Sequence, residues 1–249
     1  MQTFRLTLEY DGSRYSGWQE QTNARTIQGE LKQAAVELFQ TEVDIQGSGR
    51  TDAGVHAVGQ VAHLKLKARC RFSPAEILRE LNDRLPSSIA VIDLCEAPPR
   101  FHARHDAKSR TYFYQISTRK SALSKRFVWW VKQPLDLEAM QAATALLRGR
   151  HDFNAFRASD PSKPGESTIV VVDAVEIVRD ENLIVFRIEA SHYLWKMVRR
   201  IVGTLVKVGL GELRVEDFRK LLSGRRNPEF DIAAWTAPAS GLFLESVHY

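Results

Sequence analysis

Apolar and polar positions alternate from Phe4 to Tyr10: Phe4, Leu6, Leu8 and Tyr10 on one side, Arg5, Thr7 and Glu9 on the other. A period of two predicts a half-buried strand. In TIQGELKQAAVELFQ the period lengthens. Ile27, Leu31, Ala34, Ala35 and Leu38 share one helical face, and Thr26 stands where an N-cap belongs. TEVDIQ and VAHLKLKA read as short strands flanking a glycine-rich stretch, with Leu64 and Leu66 keeping the alternation. SPAEILRELNDRLP has Ser73 at the cap, Pro74 at the first helical position, Glu76 completing a capping box and Pro86 as its stop. IAVIDLCEA adds a strand, so residues 4–97 run β-α-β-β-α-β, the order of a ferredoxin-like unit.

The second half repeats that order with extensions. RTYFYQIS alternates as a strand, and DLEAMQAATALLRG is an amphipathic helix with Gly149 as its expected stop. STIVVVDAVEIV and LIVFRIEA form a hairpin around Asp180, Glu181 and Asn182. Leu194, Val198, Ile201 and Leu205 define a helix, VEDFRKLLSG another, and GLFLESVHY a closing strand. The expected fold is α+β: two ferredoxin-like halves, 1–105 and 106–249, joined near the basic connector PPRFHARHDAKSR, with a mixed, mainly antiparallel sheet flanked by helices. RASDPSKPGEST, residues 157–168, reads as the least ordered stretch because prolines, a glycine and small hydroxyl residues gather there.

Composition narrows the partners. With 44% hydrophobic residues in 249, the chain can build real cores and is not a disordered polymer. Its 35 Lys and Arg against 30 Asp and Glu give a net charge of +5, which favours an anionic partner. Cys70 and Cys95 lack metal-ligand spacing, so reduced thiols in a cytoplasmic protein are expected. The start, MQTFRLTLEY, has no signal-peptide pattern, and no apolar run approaches transmembrane length, so no membrane role is expected.

Candidate chemistry centres on GSGRTDAGVHA, Gly47–Ala57. There Asp52 sits among Gly47, Gly49 and Gly54, with Arg50, Thr51 and His56 beside it. Glycines there permit positive φ and close approach of a large ligand. An aspartate capping its own turn is the plainer alternative. The spacing fits neither nucleotide-phosphate fingerprint. In RTYFY, Tyr112, Tyr114 and Ile116 share one face, directly after a connector carrying Arg100, His102, Arg104, His105, Lys108 and Arg110. Such rings serve either a core or stacked bases beside phosphate-binding cations. Arg199 should emerge at the edge of its helix's buried face and Arg200 further round. Each is either a surface arginine or a fixed cation for a carboxylate.

Taken in order, YDGSRYSGWQEQ, TIQ, GSGRTDAGVHA, FHAR, RTYFY, DFNAF, MVRRIVGTL and APASGLFLESVHY resemble the tRNA pseudouridine synthases of the TruA type over nearly the whole chain. The resemblance implies uridine-to-pseudouridine isomerisation in tRNA, in the anticodon stem-loop at positions 38 to 40, without cofactor or metal and by a homodimer. It matches Asp52 to the catalytic aspartate, Tyr112 to the active-site tyrosine and Arg199 to the aspartate-pairing arginine. It also gives Arg50 a place at the flipped nucleotide. The basic residues Arg100, His102, Arg104, Lys108, Arg110, Lys196 and Arg200 would then contact phosphates, making binding salt-sensitive. One aspartate suits an isomerisation, whereas a hydrolytic glycosidase needs two carboxylates. Tyr193 and Trp195 stand where relatives often differ, near the expected RNA surface. A non-catalytic RNA-binding protein on the same scaffold is the alternative reading.

Overall fold

The computed structural model describes residues 2–67, 70–158, 165, 167–224 and 227–249. Most of the stretch expected to be least ordered, 157–168, lies outside them. The strands are β1 (Gln2–Tyr10), β2 (Val43–Gly47), β3 (His56–Leu66), β4 (Ile89–Ala97), β5 (Ser109–Ser117), β6 (Trp129–Trp130), β7 (Gly149–Asp152), β8 (Ile169–Asp180), β9 (Leu183–Ala190) and β10 (Leu242–His248). The helices are α1 (Ile27–Phe39), α2 (Pro74–Arg84), α3 (Leu137–Ala145), α4 (Met197–Gly209) and α5 (Val215–Leu221). The protein is therefore α+β. It separates into two compact units, Met1–Lys108 with Phe243–Tyr249, and Ser109–Leu242.

In the first unit β1 pairs antiparallel with both β3 and β4, and β2 pairs antiparallel with β3. The strand order β4-β1-β3-β2 with α1 and α2 in the crossovers is that of a ferredoxin-like unit. The closing strand β10 adds to β3 in parallel, through Phe243 opposite His56 and Leu244 opposite Ala57. Phe4, Leu6 and Leu8 are fully buried, as the alternation requires. Thr26 accepts from the Gly29 N–H, and Ser73 and Glu76 form the reciprocal capping box. Each satisfies N–H groups that a helix start leaves orphaned.

In the second unit β5 pairs antiparallel with β9, β9 with β8 and β8 with β7, while β6 runs parallel to β5. Two boundaries differ from the sequence reading. The helix α3 ends at Ala145, because the Leu146 and Leu147 N–H groups turn back to the Ala143 and Thr144 carbonyls. Gly149, at φ 103°, opens β7 rather than closing the helix. The helix α4 starts at Met197 rather than Leu194. Lys196 holds the left-handed conformation at φ 60°, which a helix interior does not accept. Phe153, Phe156, Phe186, Ile201 and Phe218 are fully buried and form the core of this unit.

Candidate active site

The loop from Ser48 to Val55 joins β2 to β3 and is held by a segment some forty residues earlier in the chain. Beneath it lies Tyr10, whose hydroxyl meets the Thr51 hydroxyl at 2.8 Å. Burial pushes the Tyr10 phenol up to about 12, against the hydrogen bonds from Thr51 and Gln60, so it remains protonated at neutral pH. Gln60 of β3 is fully buried; its amide accepts from Ser48 Oγ at 2.7 Å and donates to the Gly49 carbonyl at 3.0 Å. The Trp18 N–H donates to the Thr51 carbonyl and the Gly54 N–H to the Tyr15 carbonyl. At the far end the Gly12 N–H donates to His56 Nδ1 at 3.1 Å, and the His56 ring stacks on Phe243 with centroids 4.7 Å apart. Thus YDGSRYSGW and GRTDAGVHA, separate motifs in the sequence, make one structure.

The glycines divide by cause. Gly54 has φ 79° in a turn closed by the Val55 N–H on the Asp52 carbonyl, where a side chain would be strained. A Cβ on Gly47 would stand 2.6 Å from the buried Trp18 indole. Gly49 has neither restriction: a Cβ there would meet nothing within 4 Å. Gly49 therefore leaves open space, whereas Gly47 answers to packing and Gly54 to backbone conformation. Asp52 is half-buried at the apex of this anchored loop.

The connector is fastened to the same unit. Its Ala103 N–H donates to Nδ1 of the buried His63, Tyr249 Oη donates to the Ala103 carbonyl, and Phe101 packs on Tyr249. Burial lowers His63 to about 4, with the charges of Lys65 and His102 acting in the same direction and Asp44 opposing them. Its ring lies 4.7 Å from His102, which lies 4.2 Å from His105. Arg100, Arg104 and Lys108 are exposed and His102 half-buried.

The remaining expected site residues belong to the second unit. Tyr112 and Tyr114 point to the same side of β5 but differ in surroundings. Tyr114 is completely buried, donates to the Pro238 carbonyl at 2.8 Å and packs edge-on to Trp129. Its burial raises the phenol's pKa, against the opposing influence of Arg199. Tyr112 keeps 8% exposure and meets Tyr193 edge-to-face at 4.9 Å. Tyr193, which the resemblance sets near the RNA surface, turns its hydroxyl inward. Its buried hydroxyl lies 2.9 Å from the carbonyls of both Arg110 and Ile188, so it braces Tyr112 from behind.

Arg199 sits in the first turn of α4. Its Nε donates to the Ala237 carbonyl at 2.8 Å, and its own carbonyl accepts from the Ala237 N–H. The guanidinium is thus oriented by backbone. Arg200 turns inward to the Arg157 carbonyl, and Arg110 donates to the Ser191 carbonyl at 3.1 Å. Lys196 lies over the exposed Trp195 ring, 5.1 Å from its centroid. Sequence reasoning missed Tyr10, Trp18, Gln60 and Tyr193 as supports, because their partners are distant in sequence or lie on other elements. Among the described residues no group of three or more His, Cys, Asp or Glu could hold a metal ion, and Cys70 and Cys95 are free thiols. No helix among them is long and apolar enough to cross a membrane.

On this α+β scaffold the first unit presents one carboxylate on an anchored glycine loop, and the second a braced tyrosine and a backbone-oriented arginine. The family model of tRNA pseudouridine synthases matches residues 7–106 and 143–249, so the chain belongs to that family. Proteins called tRNA pseudouridine synthase A are similar over full length. That of Citrifermentans bemidjiense is 41% identical, covering 100% of this chain and 98% of its own, and that of Thermosipho melanesiensis is 40% identical, covering 99% of each. A solved Cbf5-Nop10-Gar1 complex matches 81% of this chain and 54% of that chain at 11% identity and a TM-score of 0.30, a likeness too slight to support inference.

Proposed function

We propose that this protein converts uridine to pseudouridine in tRNA, at the anticodon stem-loop, with Asp52 as the carboxylate that acts at the ribose. The observation that carries this reading is the loop itself. It is anchored at Ser48, Gly49, Thr51, Gly54 and His56, while Asp52 between them remains partly exposed. Anchoring of that kind holds a reacting group in place before substrate arrives.

The reaction breaks the N1–C1′ bond, turns the freed uracil in place and forms a C5–C1′ bond; the C5 proton leaves and N1 gains one. No atom is gained or lost, so no cofactor or energy source is required. Asp52 either attacks C1′ or removes a proton from the ribose. The target base must first leave its stack, and a closed site must then retain the detached ring. Tyr112, braced by Tyr193, stacks on the uracil. Arg199 takes the role that the resemblance gives it, as the cation that keeps the catalytic carboxylate ionised. The protein works as a homodimer in the cytoplasm under this reading.

The test is tritium release from tRNA labelled at uracil C5. Wild-type protein should release tritium to water without freeing uracil, and Asp52→Asn should lower the rate at least about a thousandfold while still binding tRNA. Free uracil as product would indicate a hydrolase. Binding without release by the wild type would favour the non-catalytic RNA-binding reading.

A further inference from the structure

The positive charge of this chain is unevenly spread. Its net charge is +5, and between Asp106 and Asp136 the sequence holds no acidic residue. Residues 118–132, from the end of β5 to just past β6, carry Arg119, Lys120, Lys125, Arg126 and Lys132, all of them exposed. We propose that this β5–β6 loop is a second RNA-docking surface, which takes backbone phosphates of a tRNA stem remote from the target uridine. The proposal rests on the reading of the protein as a tRNA-modifying enzyme and deepens it.

Several cations elsewhere in the chain already have partners. Arg25 meets Glu30, Lys32 meets Glu20, Arg84 meets Glu80 and Lys220 meets Asp217, while Arg50 donates from Nε to Gln19 Oε1 at 3.1 Å. In the β5–β6 loop, Arg119, Lys120, Lys125 and Lys132 form no ion pair among the described residues. The β8–β9 turn, whose Asn182 carbonyl accepts from the Thr118 N–H at 2.9 Å, brings Asp180 and Glu181 to the root of the loop, two acids against five cations. Gathering like charges on one loop works against the compact state, and an anion from outside relieves that repulsion.

Neutral hydrogen bonds hold the loop in shape and leave its charges outward. Ser117 Oγ donates to the Arg119 carbonyl at 2.6 Å, the Val131 N–H donates to the Ser117 carbonyl at 3.0 Å, and Ser121 Oγ accepts from the Ser124 N–H at 3.2 Å. The Lys120 ammonium lies over the Trp130 ring, 5.7 Å from its centroid, so a cation and a 42% exposed indole are presented together. Leu123, at mid-loop, is 91% exposed. Cations mixed with one aliphatic and one aromatic side chain suit the phosphate–sugar surface of an RNA stem, which is recognised by shape and backbone rather than by base edges. Thr118 follows Tyr112 by six residues along β5, about 20 Å at the rise of a strand. That is several base-pair steps of a stem, so the loop meets RNA well away from the nucleotide at Tyr112.

The double variant Lys120→Ala, Lys125→Ala removes two exposed charges that no acid of the described chain engages, so its Tm should match the wild type's. In filter binding of a full tRNA transcript over a range of salt, its Kd should rise about tenfold, and the slope of log Kd against log salt should fall by about two. The saturated single-turnover rate should fall less than affinity. Hydroxyl-radical footprinting locates the contact: wild-type protein should protect two separated stretches of RNA backbone, and the double variant should lose only the stretch outside the anticodon arm. An unchanged Kd and slope overturn the proposal, as does protection lost at the anticodon arm instead. A changed sedimentation coefficient of the RNA-free variant also overturns it, because the loop would then be a contact between copies of this chain. If wild-type protein binds the transcript but forms no pseudouridine, the functional reading fails, while the footprints still decide whether the loop holds RNA.

Discussion

Gly47 illustrates how single residues set this site. Its hydrogen stands where any Cβ would press on the indole of Trp18, and the Trp18 backbone N–H in turn holds the Thr51 carbonyl. Overpacking of a closed contact typically costs about 1–3 kcal/mol. Gly47→Ala should therefore lose stability in that range in urea denaturation, while Gly49→Ala, with open space at its Cβ, should unfold close to the wild-type midpoint. Equal losses would show that the loop tolerates or rejects side chains for another reason. The same distinction separates the two tyrosines. Tyr112 and Tyr114 look equivalent two apart on one strand, yet Tyr114 is buried against Trp129 and Pro238, and Tyr112 keeps a small exposed area against Tyr193. Alternation gave the shared face and could not give the depth, which depends on what packs above each ring.

Among the elements, β3 carries the most unusual composition. It is paired along both edges and buried on nearly every residue, and includes His56, Gln60 and His63. From the sequence only its later half, VAHLKLKA, read as a strand. Its start lies inside the glycine-rich motif, where His56 and Ala57 looked like loop. The helix caps, by contrast, were fully legible, since Thr26, Ser73, Pro74 and Glu76 act within one turn. His63 gives this strand a pH signature. Its folded-state pKa is lowered to about 4 from an ordinary value of 6.5, so the native state holds it neutral. Between those values the unfolded chain binds a proton that the native chain refuses, and stability falls as pH drops from about 6.5 to 4. Above that window His63 contributes no slope. In His63→Asn, whose amide oxygen stands where Nδ1 accepts from Ala103, the fall of Tm across that window should be smaller than in wild type. An identical fall would remove His63 as its source.

For the whole molecule, the sequence conveyed element order and the first unit's ferredoxin-like arrangement because each strand and helix has a local period. The identity of the Asp52 loop was legible as a motif, but its support was not, since Tyr10 and Thr51 are 41 residues apart and Gly12 and His56 are 44. No periodicity encodes such contacts. Boundaries failed where one backbone geometry overrides apolar spacing, as at Lys196 before α4 and Gly149 before β7. The chain consists of two such units and belongs to the tRNA pseudouridine synthase family. The most direct measurement is a map of pseudouridines in tRNA from cells lacking this gene, made by carbodiimide labelling and primer extension, and repeated after restoring either wild type or Asp52→Asn. The account predicts pseudouridines missing from the anticodon arm, restored by wild type and not by Asp52→Asn. Full restoration by Asp52→Asn, or a map unchanged by the deletion, would contradict it.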